Sequence, residues 1–138
     1  MERVDHADGR LRITRNGRVT EVVPSEIVCI DDCELEDPIH QGDERFHIIH
    51  GRRRQGQGRF WLIGPFVPGG LAAVAALTAA HPELPRRDVV VRGLPWKLRD
   101  PGWLGLRLMP VAGLGEFPER DLPTILLRDE LKDSDDAK

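Results

Sequence analysis

Residues 11–23 read LRITRNGRVTEVV, and this stretch decides the fold class of the chain. Asn16-Gly17 tolerates the positive φ angles of a type I′ turn, the connection that suits a two-residue β-hairpin. Counting outward from the turn places Arg12 opposite Glu21, and opposite charges are favourable cross-strand neighbours. Pro24 cannot donate to a strand ladder and ends the second strand. The stretch therefore predicts an antiparallel hairpin with a defined register.

Outward from this hairpin, short β-branched or alternating runs predict further strands, at residues 26–30, 45–50, 59–63, 88–92 and 103–109. Leu71 to Ala80 holds six alanines in ten residues, which predicts a helix that Pro82 ends. This helix is apolar nearly all round, so we expect it to be buried or closely packed against a sheet. Residues 124–132 predict a short C-terminal helix, and residues 133–138 a frayed tail.

The order of these elements predicts an α+β fold. We expect a mostly antiparallel sheet of about five to seven strands built from hairpins, with one Ala-rich buried helix and a short C-terminal helix. The length of 138 residues favours a single globular domain, 1–138.

The composition also bears on the class of protein. A hydrophobic fraction of 40% excludes a disordered chain. The longest weakly polar run, residues 71–80, is far shorter than the roughly 20 residues that span a bilayer. The first residues lack a charged stretch followed by an apolar one, so we expect no signal peptide. We therefore expect a cytoplasmic protein with reduced thiols and no membrane partner.

Charges are segregated along the sequence, although the net charge is only -3. Eight acids and no Lys or Arg lie between Glu26 and Glu44, and five arginines and no acid lie between Arg45 and Arg59. Residues 31–44, which include Pro38 and Gly42, predict a loop. Two such segments of opposite charge either pair within the molecule or present two separate electrostatic fields to partners.

An acidic loop and two tryptophans in a Pro/Gly-rich stretch are typical of a protein-binding surface. We therefore expect a non-enzymatic module that binds another protein with a basic surface, for example an inhibitor of the immunity-protein or antitoxin type in a bacterium. The residues expected to bind this partner are Asp31, Asp32, Glu34, Glu36, Asp37, Trp96 and Trp103.

A first alternative is a nucleic-acid-binding accessory protein. Residues 51–58 are polar and glycine-rich, which predicts a mobile hairpin tip. Phosphates could be bound by the arginines of this region, and the neighbouring Phe60 and Trp61 could stack on bases. These arginines are Arg52, Arg53, Arg54 and Arg59.

A second alternative is a zinc-binding module or small enzyme at Cys29, Cys33 and His47, because thiolates and imidazoles are zinc ligands. If residues 46–50 form a strand, His47 and His50 point to opposite faces and cannot both reach one ion. The sequence has no Gly-x-Ser-x-Gly motif, no Walker loop and no dinucleotide fingerprint. We therefore expect no catalytic residues and no cofactor.

Overall fold

The computed structural model describes residues 2–36, 45–65, 67–92, 98 and 114–128. Within them, two sheets and one α-helix form an α+β fold. The small sheet has three antiparallel strands in the order β1-β2-β3, and the large sheet has six strands in the order β8-β6-β5-β4-β7-β9. The expected prevalence of antiparallel pairing is confirmed, and the described ladders include one parallel pair, β4 with β7.

The small sheet contains β1 (Glu2–Ala7), β2 (Arg10–Arg15) and β3 (Arg18–Val22). The hairpin prediction is confirmed, including the pairing of Arg12 with Glu21. Asn16 and Gly17 have φ angles of 51° and 78°, as a type I′ turn requires. Sequence analysis missed β1, although Asp8-Gly9 has the same positive-φ turn signature.

The large sheet contains β4 (Ile27–Glu36), β5 (Arg45–Arg54), β6 (Gln57–Ile63), β7 (Arg86–Arg92), β8 (Leu114–Pro118) and β9 (Thr124–Leu127). Its central strand corrects the sequence analysis, because residues 31–36 continue β4 and do not form a loop. The predicted mobile tip is also wrong in part. β5 runs through Arg54, and Gln55-Gly56 makes a two-residue turn to β6.

The two faces of the large sheet bury separate apolar clusters, because side chains alternate along a strand. We call the side that carries Ile30, Ile49 and Ile63 the first face; it packs against the small sheet and the helix. The opposite, second face carries a cluster that includes Ile48 and Phe60.

Helix α1 (Gly70–Ala80) connects β6 to β7. Val74 and Leu77 are buried against the first face, whereas Leu71 is 59% exposed. The helix thus packs closely against the sheet on one side, as expected, and its other side is exposed. Within the described residues, no helix is long and apolar enough to cross a membrane.

The predicted C-terminal helix is wrong over residues 124–127, because Thr124–Leu127 is strand β9. It pairs antiparallel with β7, with Val90 opposite Leu126. A run of branched aliphatic side chains suits a strand as well as a helix, and here it completes an edge of the sheet. The predicted strand at 103–109 and the tail at 133–138 lie outside the described residues.

Candidate functional site

Asp31 is the one buried charged residue in the described part of the chain, with 0% exposure. It lies on β4 and points to the second face. Arg87 of β7 donates two hydrogen bonds to its carboxylate, from Nε to Oδ1 at 2.7 Å and from Nη2 to Oδ2 at 2.8 Å. His50 of β5 places Nε2 2.5 Å from Oδ2. Both neighbouring strands thus neutralise the buried carboxylate.

These contacts determine the charge state of Asp31. Burial by itself raises the pKa of the carboxyl group, but the hydrogen bonds and charges of His50 and Arg87 outweigh it and hold that pKa below its ordinary value. Asp31 is therefore an ionised group at neutral pH, held in place from two sides.

Cys29 lies beside this carboxylate, two residues before Asp31 on β4 and on the same face of the sheet. It is the cross-strand neighbour of His50, and donor atoms of Cys29, Asp31 and His50 all lie within 4.8 Å of one another. Burial and the Asp31 charge raise the pKa of the Cys29 thiol, which is therefore protonated at neutral pH. Cys29, His50 and Arg87 line a cavity of about 420 Å³.

A second set of the same residue types lies on the first face. Arg86 donates from Nη2 to both carboxylate oxygens of Asp32, at 2.8 and 2.9 Å. His47 Nδ1 lies 3.0 Å from Asp32 Oδ1. Burial lowers the pKa of His47, and Arg86 lowers it further against the opposing effect of Asp32. This histidine is therefore neutral at neutral pH.

The other described acids expected to bind a partner are also paired. Glu34 forms an ion pair with Arg128, and Glu36 accepts two hydrogen bonds from Arg92. The carboxylates of residues 31–36 therefore do not form an unpaired acidic loop. In the described structure, their arginine partners come from β7 and residue 128, and the block from residue 45 to residue 59 contributes two histidines but none of these arginines. Asp37, Trp96 and Trp103 lie outside the described residues.

The arginines of the predicted nucleic-acid-binding tip have partners within the protein. Arg52 donates to the Ser25 carbonyl at 2.6 Å, and the other three pair with glutamates. The pairs are Arg53 with Glu119, Arg54 with Glu26, and Arg59 with Glu26 and Glu116. The opposite-charge blocks meet through Glu26. Nucleic-acid binding by these arginines stays a prediction.

The zinc site predicted at Cys29, Cys33 and His47 does not assemble. The Cys33 side chain is buried in the apolar cluster of the second face, where burial raises the pKa of its thiol well above the ordinary value. His47 points to the first face, beside α1. The structure brings Cys29 together with His50 and Asp31 instead.

A separate cleft of about 590 Å³ lies between the β2–β3 hairpin and the β6–β8 edge of the large sheet. Trp61 lines it and is 2% exposed, and its Nε1 has no hydrogen-bond partner among the described residues. Arg15 and Arg18 line the same cleft. The Arg15 side chain pairs with Glu2, whereas the Arg18 side chain makes no hydrogen bond or ion pair in the described structure.

Sequence reasoning missed Arg86, Arg87 and Arg18, and it placed Trp61 beside a mobile tip. Arg86-Arg87 precedes a β-branched run, so strand alternation could have assigned one guanidinium to each face. The identity of the carboxylates they meet required the pairing of β4 with β7, which no local pattern encodes.

The chain matches no protein-family model, and no curated protein or solved structure shows significant similarity to it. The arrangement of its own residues therefore carries the functional argument. Two places stand out on chemical grounds, the cleft beside Trp61 and the Cys29, Asp31 and His50 group.

Proposed function

We propose that the protein is a non-enzymatic binding module that takes an extended, acidic segment of another protein into the cleft between β3 and β8. The observation that carries this proposal is Trp61, whose side chain lines the cleft and whose buried indole N–H has no acceptor among the described residues. A buried donor without a partner costs about 1–3 kcal/mol, and a bound acceptor would recover that energy.

The chemistry of the segment follows from the charges at the cleft. Arg18 has no partner among the described residues, whereas the described acids of β4 are neutralised. An unpaired guanidinium favours a carboxylate ligand. An acidic segment therefore suits the cleft better than the basic partner expected from the sequence. Inhibition of the immunity-protein or antitoxin type is one role that such binding would serve.

Its extended conformation follows from the sheet edges. In the described structure, no strand pairs with the outer edge of β3 or of β8. Unpaired edges offer backbone donors and acceptors to an added strand, a common mode of peptide recognition. The four residues from Arg18 to Glu21 are exposed, so this edge is accessible.

The test is selection from a displayed library of random peptides long enough for one strand, about six residues. We expect enrichment of peptides that carry Asp or Glu. Arg18→Ala should weaken their binding about tenfold, the effect of losing a hydrogen bond to a charged group. Arg12→Ala is the matched control, since Arg12 lies in the same hairpin, points away from the cleft and pairs with Glu21.

Trp61→Phe removes the indole N–H, keeps an aromatic ring and should weaken binding about fivefold. A library that yields no peptide, or only peptides whose binding is equally sensitive to Arg12→Ala and Arg18→Ala, would overturn the proposal.

A further inference from the structure

We propose that Cys29, Asp31 and His50 form a binding site for a divalent transition metal ion of the zinc class. They offer one sulfur, one oxygen and one nitrogen donor, and these atoms lie within 4.8 Å of one another. Zinc accepts all three kinds of ligand and is borderline-soft, whereas calcium and magnesium prefer oxygen alone. The site is independent of the cleft beside Trp61.

The strands place these donors without help from a loop. Cys29 and Asp31 are two residues apart on β4 and so share a face, and His50 is opposite Cys29 on β5. Ligands on paired strands of one sheet are held more precisely than ligands on loops. The strands therefore bring the three donors together, and Asp31 Oδ2 and His50 Nε2 move apart from 2.5 Å as the ion enters between them.

Arg87 is compatible with a metal ion at this place. A carboxylate has about four acceptor positions, and Arg87 uses one on each oxygen of Asp31. The lone pair of Asp31 Oδ2 that faces His50 is a different one, which Arg87 does not use. Partners that hold a ligating carboxylate in this way orient it and commonly accompany metal sites. The guanidinium also offsets the extra negative charge of a Cys29 thiolate.

Entry of the ion requires a deprotonation at Cys29, because the thiol must become a thiolate to bind metal, and its proton passes to solvent. His50 binds through the lone pair of Nε2, which lies 2.5 Å from Asp31 Oδ2, so the ring carries its hydrogen on Nδ1 in the metal-bound form. No oxidation state changes in this step.

The site opens on one side. Cys29 and His50 line the 420 Å³ cavity, and the buried Asp31 carboxylate lies behind them, in contact with His50. A zinc ion held by three protein ligands has a fourth coordination position, which water or another small ligand can fill from the cavity. Structural zinc sites differ, because four protein ligands occupy all positions.

The test is titration of the chelator-treated protein with Co²⁺, which reports a cysteine ligand through a thiolate-to-cobalt charge-transfer band. We expect the band to appear at a single equivalent and to be removed by Zn²⁺. Cys29→Ser should abolish the band, and His50→Asn should weaken metal binding by more than about 100-fold, since even an outer partner of a metal ligand contributes 10–100-fold.

The chain supplies matched controls for both variants. Cys33→Ala and His47→Asn alter the same residue types on the same two strands, at positions that do not meet Cys29, and should leave the band unchanged. Release of the Cys29 proton as the ion binds, followed with a pH indicator, tests thiolate formation independently of the band. Absence of the band in the wild type, or its equal loss in Cys33→Ala, would overturn the proposal.

Discussion

Two neighbouring residues of β4, Asp31 and Asp32, have the same kinds of partner on opposite faces of the large sheet. Asp31 meets His50 and Arg87 on the second face. Asp32 meets its own histidine and arginine, from the same two strands, on the first face. Each aspartate therefore has one histidine partner from β5 and one arginine partner from β7.

The two sets differ in their surroundings. The Asp31 side chain is 0% exposed, whereas that of Asp32 is 33% exposed. The two arginines are similarly exposed, at 40% and 44%, so the difference lies at the carboxylates. Solvent screens Asp32, whereas Asp31 lies in a medium of low dielectric, where an ion pair gains strength but an unpaired charge becomes costly. Burial, rather than residue identity, therefore decides how much each set contributes to stability.

The largest expected effect separates the two aspartates directly. Asp31→Asn keeps the shape of the side chain but leaves Arg87 without its counter-charge, and it should lower the free energy of unfolding by about 3 kcal/mol. Asp32→Asn should lower it by less than about 1 kcal/mol, because the pair with Arg86 is partly exposed. Chemical denaturation of both variants measures the difference, and equal losses would contradict the role given to burial.

A smaller effect concerns the pH dependence of stability. His47 has a folded pKa below its ordinary value of 6.5, so the unfolded chain takes up a proton first as the pH falls. Stability should therefore be highest above pH 6.5 and decrease as the pH falls below it, with a further decrease as the pH falls below 3.8, the ordinary value for Asp31, whose folded pKa is also depressed.

His47→Gln should remove the first decrease and leave the second. Thermal unfolding between pH 8 and pH 3 measures both. His81→Gln, a variant of a histidine at the surface end of α1, is the control for loss of any histidine. A first decrease that persists unchanged in His47→Gln would place its origin elsewhere in the molecule.

The smallest effect is expected at the exposed end of β4. The side chains of Glu36 and Arg92 are 53% and 52% exposed, so their pair is screened by water. Glu36→Gln should change the free energy of unfolding by no more than about 0.5 kcal/mol, as measured by urea denaturation. A loss comparable to that of Asp31→Asn would show that exposure does not rank these pairs.

Much of the local structure was predictable from the sequence. Asn16-Gly17 defined the β2–β3 hairpin and its register, and the alanine-rich run defined α1 within one residue. The errors arose where the local pattern was ambiguous. Residues 31–36 are too acidic to suggest a central strand, and β4 accommodates them because basic side chains of β5, β7 and residue 128 neutralise each carboxylate.

The candidate metal site was only half predictable. Strand alternation already indicated that His47 and His50 could not share one ion, but it did not show which of them accompanies Cys29. That choice follows from the register of β4 with β5, in which Cys29 is opposite His50. Register across a long connection depends on burial of the whole strand, and no short motif specifies it.

The sequence by itself determined the turns, the alternation of side chains and the prevalence of strands, because these depend on backbone sterics and on neighbours a few residues away. Only the tertiary structure decided which charges meet. Arg87 and Asp31 are 56 residues apart in the chain and become partners through the parallel pairing of β4 with β7. Pairing of this kind depends on the packing of the whole core, so the buried ionic group, the cleft beside Trp61 and the cysteine–histidine pair appear only once the sheet is complete.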